Sequence, residues 1–453
     1  MKRFWKFFGA VLLCALLLPA FVLAETPDET AEKDFSDSAD ILRELGLFQG
    51  ASGGYELERA PTRTEAAVML VRLLGKEADA LSSARAHPFK DTPKWADAHI
   101  AYLYANGLTK GVSASNFGTG ACDANMYASF LLRVLGYDDA AGDFRYGDAL
   151  SFAYEIDLLS SEHLQRLQTD AFLRGDLAVL SLWALFTEVK GDPLYLIDRL
   201  VSEGAVPAAA AKRYTDVLEA ENLIARGFFL SEEENGYESR IAETYSLSEA
   251  GYTPITSRYI LNGKGLLTDA GWREIYEITA LLPDSEESYT VFRADGWLYY
   301  DYADGKKFKT PADPDAEEDT PRTLSGLFNR YKSVTIEERD GKTFIQEELS
   351  ETPAEQRARE TVSFLFGVDE DLIKELSRED YSTKLRHCTD TYTLDAEGYI
   401  LQWTENIEFY FRLLSSFRDR PYLLTYDAVS DYSSHGEAVE LVFPKDLQDY
   451  PLD

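Results

Sequence analysis

The chain has 453 residues, long for a single core, so two to four domains are expected at roughly 100–200 residues each. Hydrophobic residues at 45% and aromatic residues at 13% exclude a chain that is disordered throughout. A formal net charge of −34 speaks against nucleic acid or anionic lipid surfaces as partners.

The chain opens with Lys2, Arg3 and Lys6, followed by the apolar run "FFGAVLLCALLLPAFVLA". Val22 and Ala24 are small residues placed just before Glu25. This pattern reads as a secretory signal spanning 1–24 and cleaved after Ala24; the alternative is an uncleaved membrane anchor. Lipidation at Cys14 would need a small residue before it, and Leu13 stands there. No later stretch approaches the ~20 apolar residues of a membrane span. Losing three bases and no acids leaves a mature charge near −37, suited to an extracellular setting rich in cations. Cys122 and Cys388 then remain, neither a disulfide framework nor spaced as a zinc site.

The first half contains a repeat. An offset of 61 puts Gly46, Leu47 and Gly50 on Gly107, Leu108 and Gly111, and "VMLVRLLG" (Val68–Gly75) on "SFLLRVLG" (Ser129–Gly136). A third copy, at an offset of 111, puts "LRGDLAVLSLWALF" (Leu173–Phe186) on "TRTEAAVMLVRLLG" (Thr62–Gly75). Each copy reads as helix, polar Gly-rich loop, helix. The first helix stops at a glycine. The second opens at Thr62, an N-cap, and Glu65 completes a capping box. Its apolar stripe is Ala66, Met69, Leu70, Leu73 and Leu74. A unit this short buries too little alone, so the three copies are expected to pack together.

"FKDTPKWADAHIAYLYANGLTKG" (Phe89–Gly111) and "TRTEAAVMLVRLLG" together resemble the S-layer homology (SLH) domain. The resemblance covers about 34–190, with repeats at 34–75, 89–136 and 143–190, and a helical tail at 191–227. It implies a pseudo-three-fold helical bundle whose grooves bind pyruvylated secondary cell-wall polysaccharide without a covalent bond. It also implies groove roles for Arg63, Glu65, Trp95, Arg174 and Asp176. The chemistry is consistent: an Arg fork suits a pyruvyl carboxylate, and Trp offers a flat face to a sugar ring. Each residue has a plainer alternative. Glu65 and Asp176 suit helix starts, Trp95 suits a core, and Arg63 and Arg174 could simply be solvated. The copies are unequal, because Ala124 and Met126 stand where Arg63 and Glu65 align. Thr62 and Glu65 suffice to start the helix, so Arg63 is expected to serve as a carboxylate clamp and not folding.

Beyond about Gly227 the pattern changes to alternation with hairpin signals. Turns are expected at Asp295-Gly296, Asp304-Gly305, Asp340-Gly341 and Glu397-Gly398. "SRIAETYSL" and "TSRYIL" read as strands, and "AEQRARETVSFLFGVDEDLIKELS" as an inserted helix. An antiparallel meander of this kind over 228–453 looks like the LolA/LppX-like half-barrel, some members of which carry lipid in the hollow. The resemblance implies a lipid or other apolar ligand. Trp297, Tyr299, Tyr300 and Tyr302 could line such a cavity, or could be core. The fold class expected is therefore α+β and multidomain, an all-α SLH triplet followed by an antiparallel β-rich half-barrel with a helical insertion.

No catalytic motif stands out. The five histidines have no metal spacing, and neighbours such as His387 and Cys388 on a strand point to opposite faces. "DPDAEED" (Asp313–Asp319) lacks the Gly and closing Glu of a calcium loop. The expectation is a non-enzymatic, cell-surface protein with no cofactor and no metal. The alternative is a wall-associated hydrolase with catalytic carboxylates in the second half. Two facing carboxylates of shifted pKa would favour that alternative.

Overall fold

In the computed structural model, the described residues are 27–50, 54–233, 236–249, 252–268, 271–311, 323–366, 384–411, 422–434 and 439–452. The proposed signal segment and "DPDAEED" lie outside them. Two compact units are present. One is built from Ala24–Tyr214 with Pro321–Phe328, the other from Thr215–Thr320 with Asn329–Asp453. The described helices include none long and apolar enough to cross a membrane.

The helical unit carries α1 (Pro27–Glu44), α2 (Arg63–Leu73), α3 (Glu77–Ser82), α4 (Asp97–Ala105), α5 (Ala124–Val134), α6 (Ala149–Glu155), α7 (Ser161–Thr169), α8 (Arg174–Leu185) and α9 (Leu196–Ser202). Its boundaries follow the repeat offsets. Helices α2 and α5 begin and end 61 residues apart, and α8 begins 111 after α2. Helices α1, α4 and α6 end at Glu44, Ala105 and Glu155, at the same two offsets. Two residues after each end the backbone turns left-handed, at Gly46 (φ 78°), Gly107 (φ 74°) and Asp157 (φ 58°). Glycine adopts that conformation without a Cβ penalty, whereas Asp157 adopts it at a cost. The expected stripe of α2, namely Ala66, Met69, Leu70, Leu73 and Leu74, is buried throughout. The Thr62/Glu65 capping box forms as expected.

The second unit holds one antiparallel sheet of eleven strands: β1 (Tyr237–Glu249), β2 (Ile255–Thr268), β3 (Gly271–Leu281), β4 (Glu286–Ala294), β5 (Trp297–Tyr302), β6 (Lys307–Pro311), β7 (Tyr331–Arg339), β8 (Lys342–Leu349), β9 (Lys384–Leu394), β10 (Ile400–Phe411) and β11 (Tyr422–Ser433). The spatial order is β6-β5-β4-β3-β2-β1-β11-β10-β9-β8-β7. Thus the first and last strands pair at the centre, and β6 and β7 form the two ends of an open sheet. The expected hairpin turns appear. Asp295-Gly296 and Asp340-Gly341 have two successive positive φ values, and Gly305 and Gly398 one each.

Two helices complete this unit. Helix α10 (Ala208–Glu233) runs through the division between the units, and α12 (Glu351–Phe366) is the expected insertion; the rest of that predicted helix lies outside the described residues. Between β6 and β7 lies α11 (Leu324–Arg330). Ala220 and Ile224 of α10 pack on Ile345, Tyr392, Leu394 and Ile400 of the sheet. A Cβ on Gly227 would stand 2.7 Å from the Ile400 side chain and 3.0 Å from the Gly398 carbonyl, so glycine is what lets the helix lie this close. Helix α12 packs on β9 and β10.

Two expectations about domain limits are corrected. The division falls at Tyr214, not Gly227, because α10 continues without a break and its second half supplies cover that the sheet needs. Second, Pro321–Phe328 belongs to the helical unit. The Ser325 hydroxyl donates to Asp34 at 2.6 Å, and the Phe328 ring packs on Phe186 and Tyr214 at 4.8 and 5.0 Å between centroids.

Candidate functional site

The copies of the helical unit meet where the Gly-rich loops lead into α2, α5 and α8. One backbone contact recurs there. The Arg63 N–H donates to the Gly120 carbonyl, and the Arg174 N–H donates to the Arg59 carbonyl, both at 2.9 Å. In repeat coordinates these are the same bond, from the Arg63 position of one copy to the Arg59 position of the next. The third such bond would run from Ala124 to Asp170, and it is absent among the described residues. A cleft of about 400 Å³ opens there instead, lined among others by Asp123, Asn125, Tyr146, Gln168, Asp170 and Phe172.

Of the five residues singled out from the sequence, the structure brings Glu65 and Arg174 together as an ion pair at 3.3 Å. Arg63 is 5% exposed, with its guanidinium 5.0 Å from the centroids of both Phe117 and Phe130. Its Nε has no hydrogen-bond partner, and among the described residues it makes no ion pair. Burial depresses its proton affinity. The expectation that Arg63 plays no part in folding is therefore corrected, because its side chain is packed between two rings. Glu65 accepts from the Thr62 N–H at 2.8 Å and pairs with Arg59 at 2.5 Å and Arg174 at 3.3 Å. Burial works to raise its carboxyl, but hydrogen bonds from Arg59 and Thr62 and the charge of Arg174 outweigh it and hold the pKa at about 2. Arg174 is thus matched internally, by Glu65 and by the Tyr55 carbonyl.

Asp176 is wholly buried, paired with Arg166 and accepting from the Leu173 N–H at 2.7 Å. It is a cap, and it has no surface to offer a polymer. Trp95 stands 58% exposed just before α4, so it is not core. Asp34, His163 and Ser160 form a hydrogen-bonded line that the sequence reading missed. Ser160 is the N-cap of α7, and Asp34 also accepts from Ser38 and Ser325, which makes the line a structural tie.

In the second unit, strand alternation splits the four aromatic residues for which the sequence left cavity and core open. Tyr300 stacks on Phe308 and Tyr302 on Tyr289, at 4.6 and 4.8 Å. Tyr299 and Trp297 lie on the other face, packed with Phe292, Ala294, Leu447 and Tyr450 of the C-terminal segment. Adjacent residues of one strand cannot face one hollow.

The face beneath the helices carries a feature the sequence reading did not identify. Cross-strand register aligns Tyr259, Glu243, Ala428, Glu405, Asp390 and Glu347 in one row across β2, β1, β11, β10, β9 and β8. Four of the six are acids. Neighbouring strands lie about 4.8 Å apart, too close for adjacent buried carboxylates all to ionise. Arg357 of α12 is a cation bonded to this row, at 2.7 Å from Asp390 and 3.2 Å from Glu405. Glu243 and Glu347 each keep one carboxyl oxygen with no partner. Burial pushes both up to about 8. Burial also raises Glu405 to about 7, with Arg357 opposing the rise and Asp390 adding to it. A signal was present: each acid sits in phase with buried neighbours, as in Ile241-x-Glu243-x-Tyr245 and Ile345-x-Glu347-x-Leu349. Among the described residues there is no group of acids, histidines or cysteines fit to hold a metal ion.

No protein-family model matches the chain. No curated protein matches it either. Solved structures are similar to part of it, and two of them follow. A LolA superfamily protein from Nitrosomonas europaea aligns over 50% of this chain and 98% of its own, at 13% identity and a TM-score of 0.19. A beta-barrel-like protein of a domain of unknown function, from Brucella abortus, aligns over 44% and 98%, at 10% identity and a TM-score of 0.14.

Proposed function

We propose that this is a secreted surface protein held non-covalently to the cell wall. In this reading the helical unit is an SLH-like triplet that binds pyruvylated secondary cell-wall polysaccharide. The β unit is the binding or spacer module it displays, with a lipid or other apolar ligand as its candidate cargo. Arg63 is the observation that carries the reading. A buried guanidinium without a carboxylate is costly, and a ketal-linked pyruvate would bring the missing carboxylate to a two-pronged donor. The recurring junction bond is further support, because it joins two pairs of copies in one way.

The test is co-sedimentation of the intact protein with cell-wall sacculi, before and after the wall polymer is removed. Binding should be lost on stripping, lost with Arg63→Ala and weakened with Arg63→Lys, which keeps the charge but not the fork. Equal binding to stripped walls, or no effect of either variant, refutes the anchor. Mass spectrometry of an organic extract of the same protein reads out any apolar cargo.

The buried carboxylates favour a second reading, a wall-associated hydrolase. Their arrangement supports it poorly. They stand side by side along one row, and Glu243, Asp390 and Glu347 are each at most 3% exposed. Catalytic carboxylates must reach a substrate bond from two sides.

A further inference from the structure

The carboxylate row of the β unit is chemically incomplete around Glu243 of β1. Glu243 is wholly buried, and its Oε1 has no hydrogen-bond partner. The hydroxyls of Tyr259 and Tyr289, residues 1% and 4% exposed, have none either. Register gathers these three groups on one face. Tyr259 of β2 stands opposite Glu243 on one side and Ala280 of β3 on the other. Ile278, next to Ala280 on that face, stands opposite Tyr289 of β4. The charges of Tyr259 and Glu243 both act on Tyr289. On the far side of Glu243 the row continues with Ala428, so only a methyl group separates Glu243 from Glu405.

The other oxygen of Glu243 accepts from the Tyr245 hydroxyl at 3.3 Å. The Tyr245 ring lies 4.7 Å from that of Tyr426 and 5.9 Å from that of Tyr259, between centroids. Four tyrosines thus surround one carboxyl group. Buried polar atoms are nearly always bonded, so three orphans on one small area of sheet call for an occupant. All three are oxygens that accept hydrogen bonds. Arg357 serves Asp390 and Glu405, whereas no cation acts on Glu243. A primary ammonium supplies both missing features, a positive charge and three N–H donors. Tyrosine rings add cation–π attraction. Ile241, Leu261 and Ile278 of the same face are apolar and buried, which suits an ammonium carried on an apolar body.

We propose that the β unit binds an amphiphile whose head is a primary ammonium, held by Glu243, Tyr259 and Tyr289. This rests on the reading of the β unit as the carrier of an apolar ligand, and it names the head group of that ligand.

Calorimetric titration of the intact protein near pH 7 tests it, with decylamine, decyltrimethylammonium and decanol as probes below their micelle concentrations. Decylamine should bind at least about tenfold more tightly than either of the others. Glu243→Gln should erase that preference and leave decanol binding in place, since the amide keeps the shape of the protonated acid and the surface charge is untouched. Tyr259→Phe with Tyr289→Phe should weaken decylamine about tenfold and spare decanol. Binding should also release a proton as Glu243 ionises, read as a heat that changes with the buffer. Burial raises that carboxyl to about 8, Glu405 adds to the rise, and hydrogen bonds from Tyr245 and Tyr426 oppose it. Decanol or decyltrimethylammonium binding as tightly as decylamine would overturn the proposal while leaving the apolar-ligand reading standing. Binding of none of the three would overturn both. A preference that survives Glu243→Gln would be attraction to the acidic surface and would also overturn the proposal.

Discussion

The carboxylate row predicts that the β unit loses stability as pH rises through neutrality. Glu243 and Glu347 move from the usual 4.5 to about 8 on folding because burial disfavours their charged forms. The folded state therefore holds protons that the unfolded state releases above 4.5. Stability is fully present below that pH and is lost as pH climbs towards about 8. At about 1.4 kcal/mol per pH unit for each group, raising the pH from about 5.5 to 7.5 costs roughly 3 kcal/mol per carboxyl and ~6 for the pair. That is a large part of the 5–15 kcal/mol that a typical domain has. Glu347→Gln isolates one group. The amide has the shape of the protonated acid, and the oxygen it replaces has no partner to lose. The variant should match the wild type below about pH 4.5, exceed it by about 1.4 kcal/mol near pH 5.5 and exceed it by roughly 4 kcal/mol near pH 7.5. Urea unfolding of the intact protein, followed by pulsed deuterium labelling of peptides from β8 to β10 at one labelling pH, reads the β unit alone. A slope left unchanged by Glu347→Gln, or stability that rises over this interval, would refute the reasoning.

Two further outcomes follow from particular contacts. Arg357→Met should destabilise the β unit by about 3–5 kcal/mol, since it strands Asp390 and Glu405 without their cation. The same labelling experiment measures it, and the loss should shrink at low pH, where protonated carboxyls no longer need the Arg. Asp157→Gly should stabilise the helical unit by about 1 kcal/mol, because it restores at φ 58° the residue that the other two copies use there. Thermal melting resolves this, and an unchanged or lower midpoint would count against the account.

Much of the helical unit was legible in the sequence. A duplicated chain repeats its stops and caps, so offsets found by aligning glycines located the starts of α2, α5 and α8 and the ends of α1, α4 and α6. The hairpins were legible too, since an Asp-Gly pair sets the turn locally. Aromatic crowding in β5 left cavity and core open, because side chains alternate between faces and only the fold shows how the four residues divide between them. Arg63 misled. Thr62 and Glu65 could start the helix without it, but the rings that enclose it come from the second copy, at Phe117 and Phe130.

By itself the sequence determined elements set by near neighbours: helix ends, caps, turns and the alternation of strands. It also placed an acid among apolar partners in each of four strands. Only the tertiary structure decided that those acids meet. Glu243 and Glu405 are brought into one row by the pairing of the first and last strands at the centre of the sheet. Such register depends on contacts between segments more than 150 residues apart, which no local pattern encodes. The open junction between the second and third copies was settled in the same way. The sequence showed that Arg63 had become Ala124, and packing turned that loss into a cleft.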